Sequence, residues 1–229
     1  MNIEHVNANV LFNVVLPVDD IGRLLHENNV FKVAFCTTTQ FIPQLDSMLK
    51  QLEDSGIKTV LFKGRHTRSP GQVLGCDAPI IKNDEADSFL YVGDGYFHPN
   101  EILLHNNKPV IAYDPFTHNL KVLDPNDVDE IKRKKKGMLL KFLSSKNIGV
   151  IVSVKPGQNF YRASLKLEKK YPDKTFYYLV FNTIEFGQLE NFSFVECFVN
   201  TACSRIGVDD IDKFHKPVVN LEDVLEDYK

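Results

Sequence analysis

Short apolar runs rich in valine, isoleucine and phenylalanine recur along the chain, separated by stretches with helical spacing. The runs are Val10 to Leu16, Phe31 to Phe35, Thr59 to Phe62, Phe89 to Val92, Val110 to Tyr113, Ile148 to Val152, Thr175 to Val180 and Phe194 to Val199. Such short, near-continuous apolarity marks parallel strands buried on both faces. Between two of them, Ile42, Leu45, Leu49 and Leu52 fall on one helical face, as a crossover helix requires. The pattern predicts an α/β fold of parallel sheets flanked by helices.

The order of features returns. A strand ends at a polar loop with Gln40, a helix follows, a later loop carries Cys76, and Lys108-Pro109-Val110 opens a strand. The second copy runs through Gln158, a helix to about Lys170, the loop with Cys203, and Lys216-Pro217-Val218. The spacing is too uneven for a solenoid and fits a duplicated α/β domain, with Cys76 and Cys203 in equivalent places. The junction is expected at Asp124-Pro125-Asn126, where Asn126 or Asp127 could cap the next helix, giving domains 1–124 and 125–229.

Composition narrows the class. The chain has 229 residues and a net charge of −3, so no global electrostatic attraction to nucleic acid or a membrane surface is expected. No apolar stretch is long enough for a bilayer and the start lacks a signal-peptide layout, so a cytoplasmic protein without membrane association is expected. The basic run Lys132-Arg133-Lys134-Lys135-Lys136 reads as a solvated helix face. Four cysteines, Cys36, Cys76, Cys197 and Cys203, point to buried thiols, metal ligands or catalytic groups rather than a disulfide framework.

In open α/β sheets, ligands bind at loops beyond the carboxyl ends of the strands. Cys76 lies in such a loop, beside glycines and near Arg65, His66 and Arg68, where positive charge favours the metal-binding thiolate. Cys203 follows a strand, among small residues, with Arg205 two positions beyond. Cys36 and Cys197 sit in apolar strands and read as core. Gly93-Asp94-Gly95 and Ser153-Val154-Lys155-Pro156-Gly157-Gln158 suit a small polar ligand, and no Walker loop, Gly-x-Gly-x-x-Gly or nucleophile elbow is present.

Several ordered motifs together resemble the 2-(3-amino-3-carboxypropyl)histidine synthases of diphthamide formation. They are Gly71-Gln72-Val73-Leu74-Gly75-Cys76-Asp77, Tyr91 to Pro99, Ala112-Tyr113-Asp114-Pro115, Val152 to Gln158, and Phe198-Val199-Asn200-Thr201-Ala202-Cys203-Ser204-Arg205-Ile206. Val154 and Ser204 depart from the family's usual Thr and Pro. The resemblance implies two Rossmann-like domains of a pseudo-symmetric three-domain family, each domain giving one cysteine to a central 4Fe–4S cluster. Cys76 and Cys203 would be the ligands of the second and third domains, and Ser153, Gln158 and Arg205 would lie near bound S-adenosylmethionine. The implied reaction moves a 3-amino-3-carboxypropyl group from S-adenosylmethionine to a histidine of translation elongation factor 2 by noncanonical radical chemistry.

With no domain before Val10 to supply a first cysteine, the expectation is a split enzyme: an oligomer in which a separate polypeptide carries the first domain. The alternatives are a non-catalytic accessory or scaffold subunit of the same complex, an α/β small-molecule-binding module without a cluster, and a quinolinate synthase, whose motifs fit less well.

Overall fold

The computed structural model describes residues 9–75, 77–81 and 85–225. The chain divides into two compact units, Met1–Asp129 and Glu130–Lys229.

The first unit runs α1 (Val18–Glu27), β1 (Lys32–Thr37), α2 (Leu45–Asp54), β2 (Lys58–Val60), β3 (Ser88–Val92), α3 (Phe97–His105), β4 (Val110–Asp114) and β5 (Asn119–Leu123). The sheet order is β2-β1-β3-β4-β5, parallel except for β5, an antiparallel edge strand. Strand β3 is buried at every position, as its unbroken apolar run demands. Val33, Phe35, Leu90, Val92, Ile111 and Tyr113 project from one face onto Ile21 and Leu25 of α1 and Met48 and Leu52 of α2. Helix α2 starts at Leu45 rather than Ile42, because Pro43 draws the preceding residues into a 3₁₀ turn, Thr39–Gln44.

Val10 to Leu16 forms no strand. Val14 and Leu16 are buried while Leu11 and Val15 are exposed, a strand-like alternation. Apart from Val10 N to Gln40 O (3.2 Å) at its start and Val18 N to Leu16 O (2.9 Å) at its end, its hydrogen-bond partners are side chains. Gln44 accepts from Val14 N (2.7 Å) and donates to Phe12 O (2.7 Å), and Gln51 accepts from Leu16 N (2.8 Å) and donates to Val14 O (3.0 Å). Each amide supplies the donor and acceptor of one residue in a neighbouring strand.

The second unit opens with α4 (Asp129–Ser144), which begins at the first unit's last residue. It continues with β6 (Asn147–Ser153), α5 (Tyr161–Ser164), α6 (Lys166–Lys170), β7 (Thr175–Phe181), β8 (Cys197–Asn200), β9 (Val218–Asn220) and α7 (Leu221–Val224). All four strands are parallel, in the order β7-β6-β8-β9. Phe142 and Leu167 cover the face bearing Ile148, Val150, Val152, Cys197 and Val199. Irregular segments supply Leu189, Ile211, Phe186 and Phe214 to the face bearing Ile151, Phe198 and Val218.

The division falls after Asp129, beyond the 124/125 junction expected from sequence. Asp124, rather than Asn126 or Asp127, is the capping residue. It caps the 3₁₀ turn Pro125–Val128, with Asp127 as its capping-box partner, and Val128 is buried.

Both sheets are held alike at the amino ends of their strands. Asp87 Oδ2 accepts from Phe31 N (2.8 Å) and Lys32 N (2.9 Å), while Glu196 Oε2 accepts from Lys146 N (2.7 Å) and Asn147 N (2.8 Å). Lys108 Nζ donates to Ala86 O, and Lys216 Nζ donates to the carbonyls of Phe192, Ser193 and Val195. Phe89 N bonds Pro109 O (3.0 Å) as Phe198 N bonds Pro217 O (2.8 Å). These bonds equate β1, β3 and β4 with β6, β8 and β9, matching the two sheet orders.

Candidate functional site

Cys76 lies outside the described residues, but both flanks of its loop are described. Gly71, at φ +74°, places Gly71 O to accept from Thr37 N (2.8 Å) and lets Val73 N donate to Thr37 O (2.9 Å), so the loop runs beside the carboxyl end of β1. Gln72 Oε1 accepts from Arg68 N (2.8 Å) and Ser69 N (3.3 Å). Asp77 Oδ2 accepts from His66 N (2.6 Å) and lies where a Cβ on Gly64 would stand. The Phe97 ring occupies the space of a Gly75 side chain.

Gly93-Asp94-Gly95 follows β3. Tyr91 is buried and its hydroxyl donates to Asp94 O (3.2 Å), while Gln40 Nε2 donates to Asp94 Oδ1 (3.1 Å). Burial, with Asp94 and Asp114 close by, raises the Tyr91 pKa, which keeps its hydroxyl a donor.

In the second unit, Cys203 is a free, half-buried thiol beyond the carboxyl end of β8. Its backbone is tightly held. Asn200 Nδ2 donates to Cys203 O (2.8 Å), Asn200 Oδ1 accepts from Ala202 N (3.0 Å), and Ile206 N also donates to Cys203 O (3.1 Å). Asn220, Asn200's register partner on β9, accepts from Asn200 Nδ2 (2.7 Å) and donates to Ser204 O (2.8 Å). Both asparagines are 2% exposed.

Ser153 ends β6, is buried, and accepts through Oγ from Lys155 N (3.1 Å). Gln158 is exposed and closes a turn, its N donating to Lys155 O (3.1 Å), with Pro156 and Gly157 (φ +76°) at the corners of a type II geometry. The loops after β6 and β8 are joined by Phe160 N to Thr201 O (3.3 Å), and the Thr201 hydroxyl donates to Ile151 O within β6 (2.7 Å). Ser153, Gln158, Cys203 and Arg205 therefore stand at the carboxyl ends of two adjacent strands. The Arg205 guanidinium pairs with Asp209, both Nε and a terminal nitrogen lying 2.7 Å from Asp209 Oδ2.

Cys36 and Cys197 are core thiols, 2% and 0% exposed, and burial pushes each up to about 12. Neither presents a thiolate. Among the described cysteines only Cys203 can offer sulfur to a ligand, and no group of three or more metal-ligating side chains occurs among the described residues. A thiolate-held cluster takes three or four cysteines, so Cys203 fits as one contributed ligand, and any cluster here needs sulfur from outside this unit.

The expected equivalence of Cys76 and Cys203 is overturned by the topology. Cys76 lies between β2 and β3, whereas Cys203 follows β8, the counterpart of β3. Asn200 holds the carbonyl three residues on, as Tyr91 does, so the counterpart of Cys203 is Asp94. Sequence reading missed Asn220 and the Asp209 partner. Their signals were Lys216-Pro217-Val218-Val219-Asn220 set against Lys108-Pro109-Val110-Ile111-Ala112, and an acid four residues after Arg205.

Residues 2–225 match the profile of the diphthamide synthesis protein family. The chain is 34% identical over 197 residues to a 2-(3-amino-3-carboxypropyl)histidine synthase of Pyrococcus horikoshii, covering 84% of this chain and 56% of that protein. It is 28% identical over 216 residues to subunit 1 of the corresponding Caenorhabditis elegans synthase, covering 92% and 54%. The crystal structure of Dph2 from Pyrococcus horikoshii superposes with a TM-score of 0.77 at 31% identity, over 90% of this chain and 59% of that one. A structure of the same protein with a 4Fe–4S cluster gives 0.75. The chain spans about half the length of the curated relatives it matches.

Proposed function

Because the chain belongs to the diphthamide synthesis protein family, we propose that it takes part in the first step of diphthamide formation. The step is transfer of a 3-amino-3-carboxypropyl group from S-adenosylmethionine to a histidine of translation elongation factor 2. The observation that carries this reading is Cys203, a half-buried free thiol on a braced loop at the sheet end where α/β folds bind ligands. A 4Fe–4S cluster, when bound, supplies the electron that opens a carbon–sulfur bond of S-adenosylmethionine.

The chain's own residues bind and orient. Cys203 and Cys76 each give one thiolate, from units matching the third and second domains of the family plan. A further cysteine-bearing segment, on this polypeptide or a separate one, gives the third. Ser153 and Gln158 offer a hydroxyl and an amide beside the adjacent strand end. Arg205 meets the amino-acid carboxylate of S-adenosylmethionine by exchanging it for Asp209, since a guanidinium pairs with either carboxylate.

The test is anaerobic cluster reconstitution of the chain alone and with a candidate first-domain polypeptide, followed by iron counting and a transfer assay with elongation factor 2. Transfer only with the partner, lost in Cys76→Ala and in Cys203→Ala but kept in Cys36→Ala, supports a split synthase. Full activity of the chain alone replaces the split enzyme with a self-sufficient one. Transfer that survives loss of both Cys76 and Cys203 makes the chain an accessory or scaffold subunit.

A further inference from the structure

We infer that Asn200 and Asn220 form a positioning pair for Cys203, an inference that rests on the reading of Cys203 as a cluster ligand. In both units the third strand of the shared plan holds the carbonyl three residues on, from Tyr91 to Asp94 O and from Asn200 to Cys203 O. Among the described residues, the second unit, whose loop after that strand carries Cys203, adds a second layer. At the register position occupied by Ala112 in the first sheet, the second sheet has Asn220. Its amide joins that of Asn200 (2.7 Å) and reaches Ser204 O (2.8 Å), so consecutive carbonyls at and after the cysteine are pinned from two strands.

The amides leave little slack. Asn200 Nδ2 serves two acceptors and Oδ1 takes Ala202 N, while Asn220 uses both ends of its amide. Gly207 has no side chain where the Asn220 amide lies, and a Cβ there would overlap Asn220 Oδ1. An uncharged buried amide pair fixes backbone direction without placing a formal charge beside the thiol, which a carboxylate in either position would do. The direction of the Cα–Cβ bond of Cys203, and hence where its sulfur stands, follows from those pinned peptides.

The variants are Asn200→Asp, Asn220→Asp and Gly207→Ala; the last keeps both amides but displaces the pair. Folding is checked by circular dichroism and thermal melting. The first readout needs no cluster: iodoacetamide alkylation of the full chain, followed peptide by peptide, should change at Cys203 by about fivefold, the effect of one hydrogen bond, and stay unchanged at Cys76. The second is the electron paramagnetic resonance spectrum of the reduced, reconstituted complex. It should shift while iron content stays near the wild-type level, whereas Cys203→Ala loses iron. Folded variants with wild-type alkylation at Cys203 and a wild-type spectrum would overturn the pair's role. Wild-type iron and spectrum in Cys203→Ala would instead remove the cluster reading, and the alkylation arm would still judge the asparagines.

Discussion

Glu196 shows how one carboxylate ties strand ends together. Its side chain accepts from Asn147 N and Lys146 N, and these bonds lower its pKa. A folded pKa below the unfolded value of about 4.3 gives stability that is present above that value and lost as pH falls through the folded pKa. Glu196→Gln should therefore lower the stability of the second unit at neutral pH, with the gap to wild type closing as pH falls into the acid range, read by denaturant titrations across pH. A gap independent of pH would deny the charge this role. At this scale the positions of the residues named from sequence were readable: Ser153 ends a strand, and Gln158 and Cys203 stand in loops beyond strand ends. It was not readable for Asn200 and Asn220, since asparagine is common in turns and only the β8–β9 register shows that these two meet.

Among the elements, the segment before α1 differs most from its pattern. The apolar run from Val10 to Leu16 made a strand the natural reading, but the burial of Val14 and Leu16 between exposed neighbours reports an extended chain against a core and says nothing about its hydrogen-bond partner. Here most of the partners are side chains, those of Gln44, Gln51 and Tyr113. Gln51→Ala removes the acceptor of Leu16 N and a donor to Val14 O and should cost roughly 1–3 kcal/mol in urea unfolding. A cost near zero would mean that water replaces both bonds. The edge strand β5 escaped for a related reason. Its burial alternates weakly over five residues and it pairs antiparallel after a turn containing His118 at φ +56°, so it lacks the apolar density of its parallel neighbours. Those neighbours, buried on both faces, were legible within a few residues.

For the molecule as a whole, each sheet has core clusters of its own among the described residues. The cluster packed on α1 and α2 shares no residue with the two clusters of the second sheet. Lys216→Met, which removes three carbonyl contacts, should speed hydrogen exchange in β8 and β9 and leave β1 and β3 unchanged. Equal acceleration in both sheets would show one cooperative body. The same braces, an acid on paired amides and a lysine on carbonyls, secure the amino ends of both sets of strands, while the thiol stands after the second strand in one and the third in the other. A scaffold anchored at one end leaves the loops at the other end to differ. The anchored ends are alike in the two halves, and the opposite loops carry an acid, Asp94, in one and a cysteine, Cys203, in the other on the same strand plan.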